Sequence, residues 1–170
     1  MYKLIGLSLL TFALFACNNS NNSSNATTDT TTKATEDTSH NMSTMTTTTV
    51  PELPAVPEGA KVHFKNLKNN QTVASPVKIE MGVDKMKVDT VGPVVAESGH
   101  FHIFIDAEDS LASGTIVPKD STHLHYGKAQ TEATVPLTPG KHKLTLQFAD
   151  GLHRSYGSKL ATTVNVDVKK

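Results

Sequence analysis

The feature that most constrains the fold is a strict alternation of apolar and polar residues in the C-terminal two thirds of the chain. This period of two is typical of a β-strand that turns one face to a core and the other to water. The clearest strand candidates are residues 77–83, 144–148 and 164–168. Weaker candidates are residues 62–67, 100–106 and 132–137.

No stretch of the domain predicted over 59–170 shows a sustained helical period. Several short strands in this region predict an all-β fold, and we expect an immunoglobulin-like antiparallel β-sandwich. Short-stranded barrels give a similar pattern, so the strand order is left open. The strands are separated by turn-forming sequences at Asn69-Asn70, Ser98-Gly99, Thr138-Pro139-Gly140 and Asp150-Gly151.

The first 16 residues have the organisation of an export signal. Lys3 precedes an apolar stretch over 4–15, which is shorter than the ~20 residues a membrane-spanning helix needs. The ending Leu14-Phe15-Ala16-Cys17 resembles the lipobox of bacterial lipoproteins, in which the cysteine is diacylated on sulfur. We therefore predict a signal peptide over 1–16 and a lipidated Cys17. The alternative is an ordinary cleaved signal followed by a chance cysteine.

Residues 17–58 are predicted to form a disordered tether behind the lipid. Residues 18–50 consist mainly of Asn, Ser and Thr, and such a stretch buries too little apolar surface to offset the entropy of ordering. A flexible chain of this length reaches roughly 30 Å. The sequence thus predicts a lipid-anchored protein of the cell envelope. Asn18 is not the aspartate that retains some Gram-negative lipoproteins at the inner membrane, which favours the outer membrane.

The charge balance and the missing motifs exclude several functions. The chain has 16 basic and 16 acidic residues, which argues against a nucleic-acid partner. It contains no nucleophile elbow, no phosphate-binding glycine loop and no dinucleotide fingerprint. An enzyme is therefore the less favoured class, and no catalytic residue is assigned. Cys17 is the sole cysteine, so neither a disulfide nor a thiolate ligand is available to the domain.

Histidines are the residues most able to carry chemistry. On a strand, residues two apart share a face, so each of two His-x-His pairs presents its imidazoles about 7 Å apart. In the first pair, His100 and His102 are expected on the accessible face, because the alternate positions beginning at Phe101 are the more apolar ones. The candidate metal ligands are His100, His102, His123, His125, His142 and His153.

This donor set suggests a transition-metal site. Histidine is the commonest metal ligand, and Met81 and Met86 are soft donors elsewhere in the domain. Histidines without a thiolate suit copper best and zinc second. The alternative is a metal-free interaction or structural module of the envelope, whose histidines form a hydrogen-bonded network or a docking face. A metal-dependent enzyme would additionally need a substrate pocket.

Three blocks of the domain resemble the bacterial family called domain of unknown function 4399. Members typically read Gly-His-His-His at the first block and Gly-x-Gly-Gln-Thr-Glu at the second. Here Phe101 replaces the middle histidine and Ala129 replaces a glycine. The resemblance implies the fold and the compartment, and the family has no established activity. The blocks read Gly99-His100-Phe101-His102-Ile103-Phe104-Ile105-Asp106, His125-Tyr126-Gly127-Lys128-Ala129-Gln130-Thr131-Glu132 and Leu137-Thr138-Pro139-Gly140-Lys141-His142-Lys143-Leu144.

Overall fold

The computed structural model describes residues 49–169, and the predictions for the signal peptide, for Cys17 and for the tether up to residue 48 lie outside the described residues. Within 49–169, no helix is long and apolar enough to cross a membrane. The regular elements of this part are β1 Lys61–Phe64, β2 Gln71–Val73, β3 Val77–Asp84, β4 Lys87–Val88, β5 Ser98–Ile105, β6 His123–Tyr126, β7 Glu132–Val135, β8 Gly140–Ala149, a 3-10 turn Ser158–Leu160 and β9 Ala161–Val168.

The strands form two sheets, which confirms the predicted all-β sandwich. Strands β1, β3 and β7 make a three-stranded antiparallel sheet in the order β1-β3-β7. The larger sheet has the order β2-β9-β8-β5-β4, and β6 also pairs with β5. Its central pairings are antiparallel, whereas β2–β9 and β4–β5 are parallel. One edge of β5 is shared, because β4 pairs at residues 98–99 and β6 at residues 101–104.

The main core lies between the two sheets, and the alternating apolar residues enter it as predicted. Phe101 is fully buried and packs edge-to-face on Phe148 with ring centroids 5.0 Å apart. Met81 is also fully buried in this core. The other strand residues that fill the core are Val62, Val77, Ile79, Ile103, Ala133, Val135, Leu144, Leu146, Val164, Val166 and Val168.

The outer face of the larger sheet is buried at its centre, and this corrects the expectation that His100 and His102 are accessible. Their exposed fractions are 0% and 1%. Two segments, residues 106–118 and 150–157, lie over this face and are called the outer cover below. Phe104 is fully buried there and forms a second, smaller core with Val117 of the cover.

Buried polar side chains of β8 hold the outer cover in place. The Nε2 group of Gln147 donates to the carbonyl oxygens of Gly157 at 3.2 Å and Leu160 at 3.1 Å, and its Oε1 accepts from the Leu111 N–H at 3.2 Å. Thr145 Oγ1 donates to the Glu108 carbonyl at 3.0 Å. These polar positions of β8 therefore face the protein and not water, contrary to the expectation from alternation.

Ser98-Gly99, which was predicted to be a turn, lies inside β5 instead. A side chain at Gly99 would overlap the carbonyl oxygen of Ala149 on the neighbouring strand, so the glycine allows a close approach of two backbones. Strands β2 and β4 were not predicted, because two or three residues are too few to show a period.

Residues 51–57, assigned by sequence to the end of the tether, lie on the domain. Arg154 Nη1 donates to the Pro51 carbonyl at 2.6 Å. Leu53 and Val56 pack against the main core. The folded part therefore includes this lead segment, residues 51–57.

We predict that Phe104→Ala lowers the free energy of unfolding by about 3–5 kcal/mol, because it leaves a cavity beneath the outer cover. The measurement is equilibrium denaturation in urea. Thr134→Ala, at an exposed position of β7, is the control and should change stability by less than about 0.5 kcal/mol. Equal losses in the two variants would contradict a second core on this face.

Candidate metal centre

Four imidazoles converge under the edge of the outer cover: those of His100, His102, His125 and His153. Nitrogens of the first three all lie within 4.8 Å of one another. His102 Nε2 is 3.0 Å from His100 Nε2. His153 Nε2 is 3.2 Å from His125 Nε2 and joins the group from a different segment of the chain. We call these four residues the histidine cluster.

The ring centroids of the histidine cluster are spaced more like the corners of a tetrahedron than like those of a square. All six distances between its ring centroids fall between 4.7 and 5.9 Å. In a square, the two diagonals would exceed the four edges by about 40%. A tetrahedral ion with metal–nitrogen bonds of about 2.0–2.1 Å separates its ligand nitrogens by roughly 3.3 Å. The observed nitrogen separations of 3.0 and 3.2 Å are within a few tenths of an ångström of that value.

Strand pairing brings three of the four histidines together. His100 and His102 share the outer face of β5 because they are two residues apart. His102 is directly opposite His125 in the antiparallel pairing of β5 with β6. Side chains of directly opposed residues lie on the same face within contact distance. The register of one strand pair therefore creates the three-histidine group.

His153 reaches the cluster from the turn that follows β8. This turn closes through the His153 N–H, which donates to the Asp150 carbonyl at 2.9 Å. His153 itself adopts a left-handed backbone with φ 64. Its carbonyl accepts from the Val117 N–H at 2.9 Å, which joins the turn to the other segment of the outer cover.

The inner imidazoles are neutral at physiological pH. Burial lowers the pKa of His102 to about 2, and repulsion from neighbouring imidazoles adds to the shift. Burial likewise lowers the pKa of His100 to about 4, with further repulsion from His153 and His125. The pKa of His125 is lowered by burial and by the charges of His153 and Lys119. Neutral imidazole is the form that binds a metal ion.

Hydrogen bonding within the cluster is incomplete. The Nδ1 atoms of His100 and His102 are buried, and no hydrogen-bond partner reaches them within the described part of the chain. Their Nε2 atoms face one another, so at most one hydrogen bond can form between them. Buried polar atoms without partners are costly and rare in folded proteins. A cation bound between the facing Nε2 atoms would use the lone pairs of both, with the proton of each ring on Nδ1.

Access to the cluster is one-sided. His100 and His102 are buried, whereas His125 is exposed and His153 is half-buried. The side of the cluster that faces solvent is therefore the side of His125 and His153. Val91 is an exposed apolar side chain. It lies near His125, since a Cβ atom placed on Gly127 would touch both side chains.

The structure places His123 outside the cluster, although it shares the outer face of β6 with His125. Its Nδ1 is 2.8 Å from Asp120 Oδ1 and its Nε2 is 3.1 Å from Glu108 Oε1. Burial opposes the charged form, but the hydrogen bonds to the two carboxylates outweigh it and raise the pKa of His123. The carboxylates occupy opposite sides of the ring, so the three groups do not converge on one ion.

His142 also lies apart from the cluster, at the start of β8. Its Nδ1 is 2.7 Å from Asp106 Oδ2, and its Nε2 is 2.9 Å from the Thr138 carbonyl. Burial opposes its charged form, and the hydrogen bonds to Asp106 and Thr138 raise the pKa of His142. With both nitrogens engaged, His142 fastens the turn before β8. The soft donors are also elsewhere, since Met81 is in the main core and Met86 packs against it.

Sequence reasoning missed the groups that support the site. Asp150 was noted only as part of a turn, and it is fully buried. It pairs with Arg154, whose Nη2 is 2.6 Å from Asp150 Oδ2. The available signal was the spacing of an aspartate and an arginine four residues apart around His153, which is suggestive only once the turn is known.

A family model described as Domain of unknown function (DUF4399) matches residues 79–169, more than half of the 170-residue chain. No curated protein matches the chain. No solved structure matches it either. The matched range contains the whole histidine cluster. At the two positions where the sequence departs from the family pattern, Phe101 is buried in the main core, and Ala129 has φ 57, a conformation that favours glycine.

We predict that the metal-free protein loses stability as the pH falls from about 6.5 to 4. The unfolded chain takes up protons on its histidines below pH ~6.5, whereas the folded chain keeps His100 neutral down to about 4 and His102 to about 2. The melting temperature should therefore fall by on the order of 5–10 °C between pH 7 and 5.

Scanning calorimetry with a chelator present measures this dependence. In His100→Gln/His102→Gln, the decrease between pH 7 and 5 should be clearly smaller. An identical decrease in both proteins would show that other groups cause it.

Proposed function

Because the chain belongs to the family Domain of unknown function (DUF4399), whose description assigns no activity, we propose its function from the site itself. The domain binds one transition-metal ion through His100, His102 and His125, and His153 completes the shell. The observation that carries this proposal is the convergence of the first three histidines, with their nitrogens within 4.8 Å of one another.

Among transition metals, the geometry favours zinc over copper. Zn²⁺ prefers four ligands in a tetrahedron, whereas Cu²⁺ prefers a square or tetragonal arrangement. The six centroid distances, which range from 4.7 to 5.9 Å, are closer to the first of these than to the second. Cu⁺ prefers sulfur ligands, and the two methionines of the domain lie in or against the main core. We therefore place zinc first and copper second.

One-sided access supports an exchangeable ion. The buried pair His100 and His102 provides two neutral ligands in fixed positions. The exposed His125 and half-buried His153 are the ligands that solvent or a partner can displace. This division suits a protein that captures, stores or passes on a metal better than one that needs a permanent structural ion.

We further propose that the site works in the cell envelope, anchored by a lipid on Cys17. The support is the sequence before residue 49: an apolar leader, the Leu-Phe-Ala-Cys ending and a long Asn/Ser/Thr-rich stretch. The proposed location is the outer membrane, and the partners are the lipid bilayer and a metal ion.

The second candidate function is a metal-free interaction or structural module. Its support is that neutral imidazoles can hydrogen-bond to each other, as the nitrogen separations of 3.0 and 3.2 Å allow. In that case the cluster would act as a buried polar network beneath the outer cover. Metal titration distinguishes the two functions.

We predict that the purified protein binds one Zn²⁺ per chain and that His102→Ala abolishes this. His102 is one of the three histidines whose nitrogens converge, and its loss should cost more than the roughly 10–100-fold in affinity typical of a supporting residue. Elemental analysis and competition with a chromophoric chelator measure the effect.

His142→Gln is the matched control, because it removes a candidate histidine whose two nitrogens are already engaged. It should leave zinc affinity unchanged. Absence of metal by elemental analysis, together with no thermal shift on adding zinc or copper, would favour the metal-free module.

We predict that Cys17→Ser abolishes incorporation of labelled palmitate in bacterial cells and moves the protein from the detergent phase to the aqueous phase in a Triton X-114 extraction. The cysteine sulfur is the acylated atom, and serine lacks it. Ser20→Ala should behave like the wild type. Palmitate labelling of Cys17→Ser would contradict the proposed anchor.

A further inference from the structure

A buried ion pair organises the turn that carries His153. Asp150 is fully buried, and its Oδ2 accepts from Arg154 Nε at 2.8 Å and lies 2.6 Å from Arg154 Nη2. Two contacts between a carboxylate and the fork of a guanidinium fix both groups in orientation as well as in distance. The two residues immediately flank the segment 151–153, so the pair closes the base of the turn.

The same carboxylate also fixes the backbone of this turn. Asp150 Oδ1 accepts from the N–H groups of Leu152 and Arg154, each at 2.9 Å. These are the residues directly before and after His153. The backbone N–H groups of both neighbours of the histidine are therefore tied to one buried side chain.

His153 needs such support because its backbone is in the left-handed region, with φ 64. Residues other than glycine rarely populate this region, and they remain there only when their surroundings hold them. This conformation is part of the turn that brings His153 Nε2 to 3.2 Å from His125 Nε2. In a regular continuation of β8, residue 153 would project elsewhere.

We propose that Asp150 and Arg154 are positioning residues of the metal site, which hold His153 ready as the fourth ligand. This inference rests on the proposed function and adds to it. It assigns His153 as the fourth ligand, and it assigns the two residues that hold His153 in position before the ion binds. It also explains why a charged pair is buried within the outer cover, beside a cluster of neutral histidines. Supporting hydrogen bonds of this kind commonly raise metal affinity by orienting a ligand in advance.

Arg154 additionally ties the lead segment to this arrangement. Its Nη1 donates to the Pro51 carbonyl at 2.6 Å, and its Nη2 donates to the Glu52 carbonyl at 3.4 Å. One guanidinium thus bridges the carboxylate that shapes the metal-site turn and the chain that enters the domain from its N-terminal side. The lead segment and His153 are positioned by the same group.

The test is a double-mutant cycle on zinc affinity in the full chain, with Asp150→Asn and His153→Ala singly and together. If Asp150 acts through His153, Asp150→Asn lowers affinity by about tenfold in the wild type and has almost no further effect in His153→Ala. A merely structural role would lower affinity by the same factor in both backgrounds, and that outcome overturns the proposal.

Cobalt provides an independent readout of the ligand set. Co²⁺ bound by four histidines in a tetrahedron absorbs visible light differently from Co²⁺ bound by three histidines and water. Asp150→Asn should shift the cobalt spectrum towards that of His153→Ala. Asp84→Asn, which removes an exposed carboxylate paired with Lys61 on the smaller sheet, is the control and should keep the wild-type spectrum.

Arg154→Lys covers the case in which Asp150→Asn does not fold. Lysine keeps the charge but cannot make the forked contacts, so a smaller loss of affinity and an intermediate spectrum are expected. Wild-type affinity and spectrum in Arg154→Lys would overturn the proposal. If the wild-type protein binds neither zinc nor cobalt, the proposed function itself fails. If it binds them and the cycle is additive, only the positioning role fails.

Discussion

Burial of one polar sheet face is the constraint on which the rest of the site depends. In a two-sheet sandwich the outer faces usually meet water, and polar residues there need no partner in the protein. Here the outer cover removes water from the centre of the larger sheet, so every polar group beneath it must find a partner or stay neutral. Gln147 and Thr145 find partners in the backbone of the cover. His100 and His102 are left neutral, with one unpaired nitrogen each among the described residues.

This burial keeps a set of ordinary histidines in the neutral form that a metal ligand requires. Protonation of closely packed imidazoles is opposed by desolvation and by mutual repulsion, so the lone pairs stay available at physiological pH. The same physics makes the metal-free cluster dependent on pH. His123 and His142, which lie outside the cluster, have raised pKa values and show the opposite effect. Carboxylates hold both of them and favour the charged form, which is unsuited to a metal.

Local pattern predicted the long strands well and missed the two shortest. β3, β8 and β9 have eight or ten residues, so their alternation is visible in the sequence. β2 and β4 have three and two residues, and they exist because a neighbouring strand offers backbone partners. The turn predicted at Ser98-Gly99 is wrong because local sequence does not show which neighbour a residue will have. A glycine that permits a turn and one that permits close backbone approach look the same in a sequence.

The sequence by itself determined which histidines could share a face and which ligand types are available. A period of two puts His100 beside His102, and a sole cysteine at position 17 excludes thiolate ligands from the domain. Only the tertiary structure decided which histidines meet. His125 joins through the register of β6 on β5, and His153 joins through a turn held by a buried ion pair. Register and loop path depend on packing between segments distant in the chain, and no local period records them.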